Sequence, residues 1–322
     1  MTGWTRVEVR LGALKSNLKL LRSKVPGSRV LAAVKANAYG HGLTTVAAAL
    51  EDADALAVAR LSEAETLRHA GVTTDIVLMA GVMSNAELEH AAALECGLIV
   101  HSEYQVELLE AASIRQRRVW LKIDSGMRRL GVEPEAAPAL LSRLRRTASA
   151  GPIGLMTHLA NANDTDNPTT VAQLNRFARV ADVFGGDVSV ANSAALVGWT
   201  SQMANTGRTG ARGDVWIRPG ISLYGIAPDE AHTAADFGLQ PVMTFESVLI
   251  AVKPLALGEP VGYGGSWSTT RNTVIGIVAA GYGDGYEVYK DIDFVEWVNG
   301  EKWDNPREQA INLAASVVSE AA

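Results

Sequence analysis

The chain has 322 residues, 48% of them hydrophobic and 20% charged, and a formal net charge of −6. These values are typical of a globular protein with room for one large domain and a smaller one. The acidic balance argues against a nucleic-acid partner, and the single cysteine, Cys96, excludes an internal disulfide. Without a long apolar stretch or a secretory pattern at the N-terminus, we expect a cytoplasmic protein with no membrane partner.

Short apolar runs alternate with longer amphipathic segments from residue 29 onward. Eight runs are typical of buried strands, at 30–35, 55–59, 76–79, 98–101, 119–123, 154–158, 188–191 and 215–218. Helix signals lie between them, including a polar cap at Ser102 and prolines at Pro134 and Pro168 that can open helices. The alternation predicts a (β/α)8 TIM barrel over residues 8–230. The alternative, a doubly wound open sheet, is disfavoured because no Gly-x-Gly-x-x-Gly follows the first strand.

The pattern changes after Gly225, where strand-like runs are separated by turn sequences. We therefore expect a smaller, mostly β domain formed by residues 231–322 together with residues 1–7. The segment 297–300 predicts a tight hairpin turn, and a helix is predicted from Asp304 to the C-terminus, with Pro306 in its first turn.

A barrel of this kind carries its working residues just beyond the C-terminal ends of the strands. Polar residues stand there in this sequence: Lys35, Lys122, Asp124, His158, Asn192, Ser193 and Arg218. A lysine that ends a buried strand is paired or used chemically, and a partly desolvated amine can attack a carbonyl to form a Schiff base. From residue type alone, a structural and a chemical role for Lys35 stay equally open.

The loops after the seventh and eighth strands are a frequent phosphate site in such barrels. Ser193 offers a hydroxyl, and Gly220 lets a ligand approach the backbone amides of Gly220 and Ile221. The simpler alternative is an ordinary turn with a helix cap at Asn192 or Ser193.

The segment Val-Lys-Ala-Asn-Ala-Tyr-Gly-His-Gly at 34–42 resembles the pyridoxal-phosphate attachment segment of the alanine racemases, enzymes of fold-type III. Six further segments are similar to that family, at 122–131, 156–160, 191–195, 218–225, 261–267 and 275–286. The resemblance covers residues 4–286. Beyond about residue 287 the family pattern is not recognisable, so we expect a shortened or divergent C-terminus.

The resemblance implies a role for each matching residue. Lys35 would carry pyridoxal 5′-phosphate as an aldimine and act as one base, and Tyr263 of the partner subunit would act as the second base. The implied cofactor contacts are Tyr39, His158, Asn192, Ser193, Gly220 and Ile221, with Arg218 facing the pyridine nitrogen. Arg129 would bind the substrate carboxylate, and Lys122 would be carbamylated to position it. No metal is expected.

From the residues alone, simpler roles remain for four of these positions. Arg218 could be a surface arginine beside a proline. Lys122 and Asp124 could form an ion pair at a strand end, and His158 could be a hydrogen-bonding residue of the core. Tyr263 could be an ordinary strand tyrosine flanked by glycines.

The function that the resemblance implies is interconversion of L-alanine and D-alanine, a peptidoglycan precursor, by a homodimer with shared active sites. The unusual C-terminus leaves a second hypothesis, a cofactor-binding homologue with weak or no activity. A third is a racemase or decarboxylase of another amino acid, such as serine.

Overall fold

The protein is described here by a computed structural model that covers residues 4–206, 213–265, 267–281 and 284, and the strands at 295–298, 301–304 and 316–318. The chain divides into two compact units. One runs from Val9 to Met243, and the other joins residues 1–8 to residues 244–322. The sequence pattern places this change near residue 230.

A closed barrel of eight parallel strands forms the larger unit, which confirms the predicted (β/α)8 fold. Its strands are β2 (Arg29–Ala33), β3 (Ala55–Val58), β4 (Asp75–Leu78), β5 (Cys96–Val100), β6 (Val119–Lys122), β7 (Ile153–Met156), β8 (Asp187–Ser189) and β9 (Val215–Ile217). The barrel closes where β2 pairs with β9, with Val30 opposite Ile217. Because the strands are parallel, their C-terminal ends share one face of the barrel.

Helices surround the barrel. They are α1 (Leu11–Lys24), α2 (Lys35–Tyr39), α3 (Leu43–Ala49), α4 (Leu61–His69), α5 (Asn85–Ala93), α6 (Glu103–Ala111), α7 (Ala137–Arg146), α8 (Pro168–Phe184), α9 (Ser193–Gly198) and α10 (Thr200–Thr206). Pro168 opens α8 as predicted. The predicted helix start at Pro134 is wrong, because α7 begins at Ala137 with Pro138 in its first turn. The predicted cap at Ser102 is also wrong, because its hydroxyl accepts no hydrogen bond from α6. No helix among the described residues is long and apolar enough to cross a membrane.

Two layers of apolar side chains make the core. The larger layer lies between strands and helices, and the smaller one fills the barrel with Leu31, Ala55, Ala57, Val77, Ile99, Trp120, Met156 and Trp216. Trp120 and Trp216 meet edge to face, with ring centroids 5.6 Å apart. A Cβ on Gly154 would lie 2.5 Å from the Trp120 ring, so only glycine leaves room for this indole.

An ion pair lies beside these two indoles. The Arg118 guanidinium stands over both rings, at 5.5 Å from Trp120 and 5.2 Å from Trp216. It also pairs with Asp187 at 2.6 Å, and the Trp216 indole N–H donates to the same carboxylate. Arg118 precedes β6 and Asp187 begins β8, so the N-terminal end of the barrel is closed by packed and hydrogen-bonded side chains.

The smaller unit is made mostly of strands, as predicted. They are β10 (Met243–Glu246), β11 (Leu249–Leu255), β12 (Pro260–Val261), β13 (Trp267–Ser268), β14 (Thr273–Val278), β15 (Val295–Val298), β16 (Glu301–Asp304) and β17 (Ser316–Val318). β11, β14 and β17 form one antiparallel sheet, while β12 pairs with β13 and β15 with β16. β10 pairs with β1 (Arg6–Val9).

The helix predicted from Asp304 onward is wrong at Asp304 itself, which ends β16, and at residues 316–318, which form β17. Val317 and Val318 are β-branched and pair with Ile275 and Val274 of β14, so sheet pairing overrides the local helical pattern. Residues 305–315 and 319–322 lie outside the described residues. So do Asn299 and Gly300, the centre of the predicted hairpin turn, although Val298 does face Glu301 across β15 and β16.

Candidate active site

Lys35 lies at the C-terminal mouth of the barrel, where it is exposed and begins α2. The next four residues, Ala36, Asn37, Ala38 and Tyr39, have φ angles of 54°, 54°, 55° and 53°. This is a left-handed turn without glycine, a conformation that costs roughly 1–2 kcal/mol per residue. Such strain persists only where surrounding contacts determine it, and it clusters at functional sites. The segment Lys35–Tyr39 is called the Lys35 turn below.

The Lys35 turn carries Tyr39 to the loop that follows β9. A Cβ placed on Gly220 would lie 2.7 Å from the Tyr39 hydroxyl oxygen, so the absence of a side chain there makes this approach possible. The ring of Tyr39 packs against that of Tyr224, with centroids 4.8 Å apart. Tyr224 is fully buried and donates its hydroxyl to the carbonyl of Ala33 at the end of β2. Tyr224 thereby holds Tyr39, a role that the sequence analysis missed.

Ser193 and the Gly220 loop are joined by hydrogen bonds. The Ser193 hydroxyl oxygen accepts the amides of Gly220, at 2.9 Å, and Ser222, at 3.2 Å. The Gly220 amide thus donates to Ser193 here, and Ile221 is partly exposed beside it. The Ser222 hydroxyl is buried and has no hydrogen-bond partner among the described residues. Hydroxyls and amides that converge in this way suit the oxygens of a phosphate group.

Asn192 sits directly before α9 and has two structural contacts. Its side-chain oxygen accepts the amide of Ala195 at 3.0 Å, which caps the helix. Its amide group donates to the carbonyl of Leu159 at 3.1 Å. These bonds give Asn192 the capping role that the sequence left open, and they fix the orientation of Ser193 at the start of α9.

Arg218 is fully enclosed below the mouth. Its guanidinium donates to the Ser189 hydroxyl at 2.6 Å and to the carbonyls of Thr157 and Val190. Burial lowers its pKa to about 10, so it still carries its charge at neutral pH. The Ser189 hydroxyl in turn donates to the carbonyl of Trp216, which keeps its oxygen available to the arginine.

His158 stands beside Arg218, with its Nδ1 3.5 Å from the guanidinium. Burial, and then the charge of Arg218, lower the pKa of His158 to about 3, so the ring is neutral at pH 7. Gln173 on α8 holds this segment in place, because it donates to the His158 carbonyl and accepts the Ala160 amide. Gln173 is another residue that the sequence analysis missed.

Lys122 and Asp124 lie at the end of β6 and are nearly enclosed. Burial, and then the charges of Arg218 and Arg129, lower the pKa of Lys122 to about 8, against the opposite effect of Asp124. The Asp124 carboxylate accepts the amides of Gly126 and Arg128, so it shapes the loop that carries Arg129. Arg129 itself is exposed.

Positive charge dominates the mouth. The groups that act electrostatically on Lys122 and His158 are Lys35, Arg129 and Arg218, opposed at Lys122 by Asp124. Most of the predicted site residues in the barrel unit are therefore close enough to share a positive electrostatic potential, which favours an anionic ligand. Among the described residues, no group of three or more histidine, cysteine or acidic side chains could hold a metal ion. Tyr263 belongs to the smaller unit, where it begins a 3-10 helix, Tyr263–Gly265.

The fold and the mouth define a class: a (β/α)8 barrel with a lysine after its first barrel strand and a phosphate-type cradle after its last two. Family comparison agrees. Residues 9–228 match the model of the alanine racemase N-terminal domain, and residues 242–304 match that of the C-terminal domain. The C-terminal match extends beyond residue 286, where the motif resemblance ends.

Individual relatives give the same assignment. The alanine racemase of Shewanella sediminis is 43% identical over 94% of this chain and 82% of its own length. That of Aeromonas hydrophila is 42% identical over 87% and 76%. The chain belongs to the alanine racemase family, which confirms the resemblance and the prediction of an amino-acid racemase, an isomerase.

Solved structures are similar as well. The biosynthetic alanine racemase from Pseudomonas aeruginosa aligns with a TM-score of 0.80 at 38% identity, over 88% of this chain and 77% of that one. The enzyme from Acinetobacter baumannii aligns at 0.81 and 31% identity, over 97% and 85%. The alanine racemase from Bartonella henselae with covalently bound pyridoxal phosphate aligns at 0.79 and 25% identity, over 98% and 85%.

Proposed function

We propose that this protein interconverts L-alanine and D-alanine with pyridoxal 5′-phosphate as its cofactor and two bases, Lys35 and Tyr263. The observation that carries the proposal is the convergence of Tyr39, Ser193 and Gly220 next to the Lys35 turn. The same small molecule could then be bound twice, through its aldehyde by the amine and through its phosphate by the cradle.

The residues of the mouth fit this cofactor. Lys35 would hold it covalently through its amine, and Tyr39, Ser193, Gly220 and Ile221 would hold its phosphate. The cradle is tight at Gly220, and the buried Ser222 hydroxyl has no hydrogen-bond partner in the part of the chain that the structure describes. The bound cofactor would withdraw electrons from the Cα–H bond of an attached amino acid, which acidifies that proton.

Arg218 and His158 would each keep one protonation state at neutral pH, the first cationic and the second neutral. Arg218 stays cationic at neutral pH and faces the pyridine nitrogen in our proposal, and the neutral His158 would link this arginine to Tyr263 of the partner subunit. A tyrosine with an ordinary pKa near 10 is a poor base at neutral pH. The cationic surroundings lower the free energy of a phenolate, so they favour proton removal by Tyr263.

The two bases would work on opposite faces of the substrate carbon. One of them, Lys35 Nζ or Tyr263 Oη, takes the Cα proton, and the other returns a proton to the opposite face, so that configuration inverts. Each base then removes the proton from one enantiomer. Arg129 would bind the substrate carboxylate, and carbamylated Lys122 would offer this arginine an anionic partner.

We further propose a cytoplasmic homodimer in which Lys35 of one subunit works with Tyr263 of the partner subunit. The proposal predicts complementation. Lys35→Ala and Tyr263→Phe homodimers should both be inactive, but a mixed dimer would contain one site with both bases intact. Random assortment should restore roughly a quarter of the wild-type activity. No recovery from a mixture shown to exchange subunits would contradict shared sites.

The activity itself is tested with purified protein and added cofactor. Borohydride should fix the cofactor to Lys35, as read by peptide mass spectrometry, and chiral chromatography should show racemisation from either enantiomer of alanine. Tyr263→Phe should slow racemisation by about 100-fold or more in both directions, yet still exchange the Cα proton of one enantiomer with solvent. Racemisation untouched by Tyr263→Phe would refute the two-base scheme.

The same assays separate the alternatives. A protein that binds the cofactor at Lys35 but leaves alanine unchanged would be a homologue without activity. A panel that includes serine would show whether another amino acid turns over faster.

A further inference from the structure

The backbone of the Lys35 turn needs an explanation, because four successive left-handed residues without glycine are unfavourable. A helical turn of either hand leaves its first amides without partners inside the turn. Here those amides belong to Ala36 and Asn37, the two residues that follow Lys35. The group that accepts these two amides therefore fixes the backbone from which the Lys35 side chain extends.

Both amides are directed to one carboxylate oxygen on another helix. Oε1 of Glu63 accepts the Ala36 amide at 2.7 Å and lies 3.4 Å from the Asn37 amide, its second donor. The other oxygen, Oε2, accepts the amides of Ala59 at 2.8 Å and Arg60 at 3.2 Å. One side chain thus receives four backbone amides from the loops that follow β2 and β3.

The far side of the turn is fixed independently. The Asn37 side-chain oxygen accepts the Leu43 amide at 2.9 Å, at the start of α3. The Gly40 amide donates to the carbonyl of Ala36, and Gly40 itself is left-handed. Glu63 therefore anchors the beginning of the turn, next to Lys35, while these bonds anchor its end.

We propose that Glu63 is a positioning residue for the cofactor site: its carboxylate holds the left-handed Lys35 turn, and so sets the places of the Lys35 amine and the Tyr39 hydroxyl. Charged acceptors form the stronger hydrogen bonds to backbone amides, which suits a carboxylate to this strained segment. The consequence for cofactor binding depends on the proposed function, whereas the consequence for the turn does not.

A helix cap is the simpler role for Glu63, since it is the third residue of α4 and bonds the backbone before that helix. Glu87 provides a matched comparison. It is the third residue of α5 and accepts the Met83 amide at 2.6 Å in the loop before its own helix. Glu87 caps a neighbouring barrel helix without bonding the Lys35 turn, so Glu87→Gln reports the effect of capping alone.

The test compares Glu63→Gln with Glu87→Gln in two measurements. Glutamine offers one acceptor oxygen, so it can serve α4 or the turn but not both. Amide hydrogen exchange in residues 34–42 of the cofactor-free protein should accelerate about tenfold or more in Glu63→Gln only. The dissociation constant of pyridoxal phosphate should rise about tenfold in the same variant. Should Glu63→Gln fail to fold, Glu63→Asp keeps the charge but is too short to reach both loops, and the same changes are expected.

Unchanged exchange in residues 34–42, or equal changes in Glu63→Gln and Glu87→Gln, would overturn the role of Glu63. Faster exchange with an unaltered cofactor dissociation constant would also overturn it, because the turn would then not determine binding. A wild-type protein that does not bond the cofactor at Lys35 counts against the proposed function instead. In that case the exchange measurement still decides whether Glu63 holds the turn.

Discussion

The guanidinium of Arg218 donates to the hydroxyl oxygen of Ser189 at 2.6 Å in a fully enclosed part of the barrel. Ser189 lies on β8 and Arg218 follows β9, so this bond links the two strands that precede the phosphate-type cradle. The arginine is oriented by its neighbours before any ligand contacts it.

Ser189→Ala should lower the free energy of unfolding by about 2 kcal/mol, because it leaves a buried cationic N–H group without its acceptor. Ser189→Thr keeps the hydroxyl and should cost less. Urea unfolding measures both. Ser23→Ala, at an exposed serine in α1, is the control and should change little. A Ser189→Ala protein as stable as the control would contradict the importance of this bond.

The pH dependence of stability should carry the signature of His158, whose pKa is lowered to about 3 by burial and by Arg218. The unfolded chain binds this proton at an ordinary pKa near 6.5, so it gains protons first as the pH falls. Stability is therefore lost between about pH 6.5 and pH 3, with at most about 2 kcal/mol lost between pH 7 and pH 5.

His158→Asn should remove that part of the pH dependence. Urea unfolding of wild type and variant at pH 7 and pH 5 measures the difference. The same loss of stability in both proteins would mean that His158 is already accessible to protons in the folded state.

Gly220→Ala should weaken cofactor binding about tenfold, because the added methyl group would lie 2.7 Å from the Tyr39 hydroxyl and displace it. The matched control is Gly12→Ala in α1, where an added Cβ meets nothing within 4 Å. In a Tyr39→Phe background the substitution should cost less, since the displaced hydroxyl is gone. Spectroscopic titration with pyridoxal phosphate gives the dissociation constants. Equal affinities for Gly220→Ala and the control would place the phosphate elsewhere.

Lys122 should react with carbon dioxide, because its pKa of about 8 leaves much of the amine neutral in mildly alkaline solution. The amine nitrogen bonds the carbon of carbon dioxide and releases one proton, which leaves a carbamate anion. Protein in labelled bicarbonate should show a carbamate carbon signal by NMR that is lost in Lys122→Arg. Exposed Lys15 serves as the internal comparison and should remain unmodified. No signal from the wild-type protein would rule out the carbamate.

Much of the site could be predicted because its polar residues come directly after apolar runs that form strands. Lys35, Lys122, His158 and Arg218 each follow a short apolar run, and parallel strands bring such positions to one face. Glu63 could not be found in this way, because its link to the Lys35 turn joins two loops that no local pattern relates. The left-handed turn was equally hidden, since local sterics oppose it in a segment without glycine. Near the C-terminus, pairing with β14 outweighed a helical pattern for the same reason: the decisive contact is distant in sequence.

The packed indoles of Trp120 and Trp216 have a consequence for how substrate and product reach and leave the site. With Arg118 and Asp187 beside them, they pack the barrel interior towards its N-terminal end, as expected of a barrel whose interior is a packed core and not a pore. In the proposed function, an incoming amino acid and the departing mirror-image product would therefore share the C-terminal mouth, where Lys35 is exposed. Widening the interior, for example by Trp120→Ala, would open a cavity and cost stability.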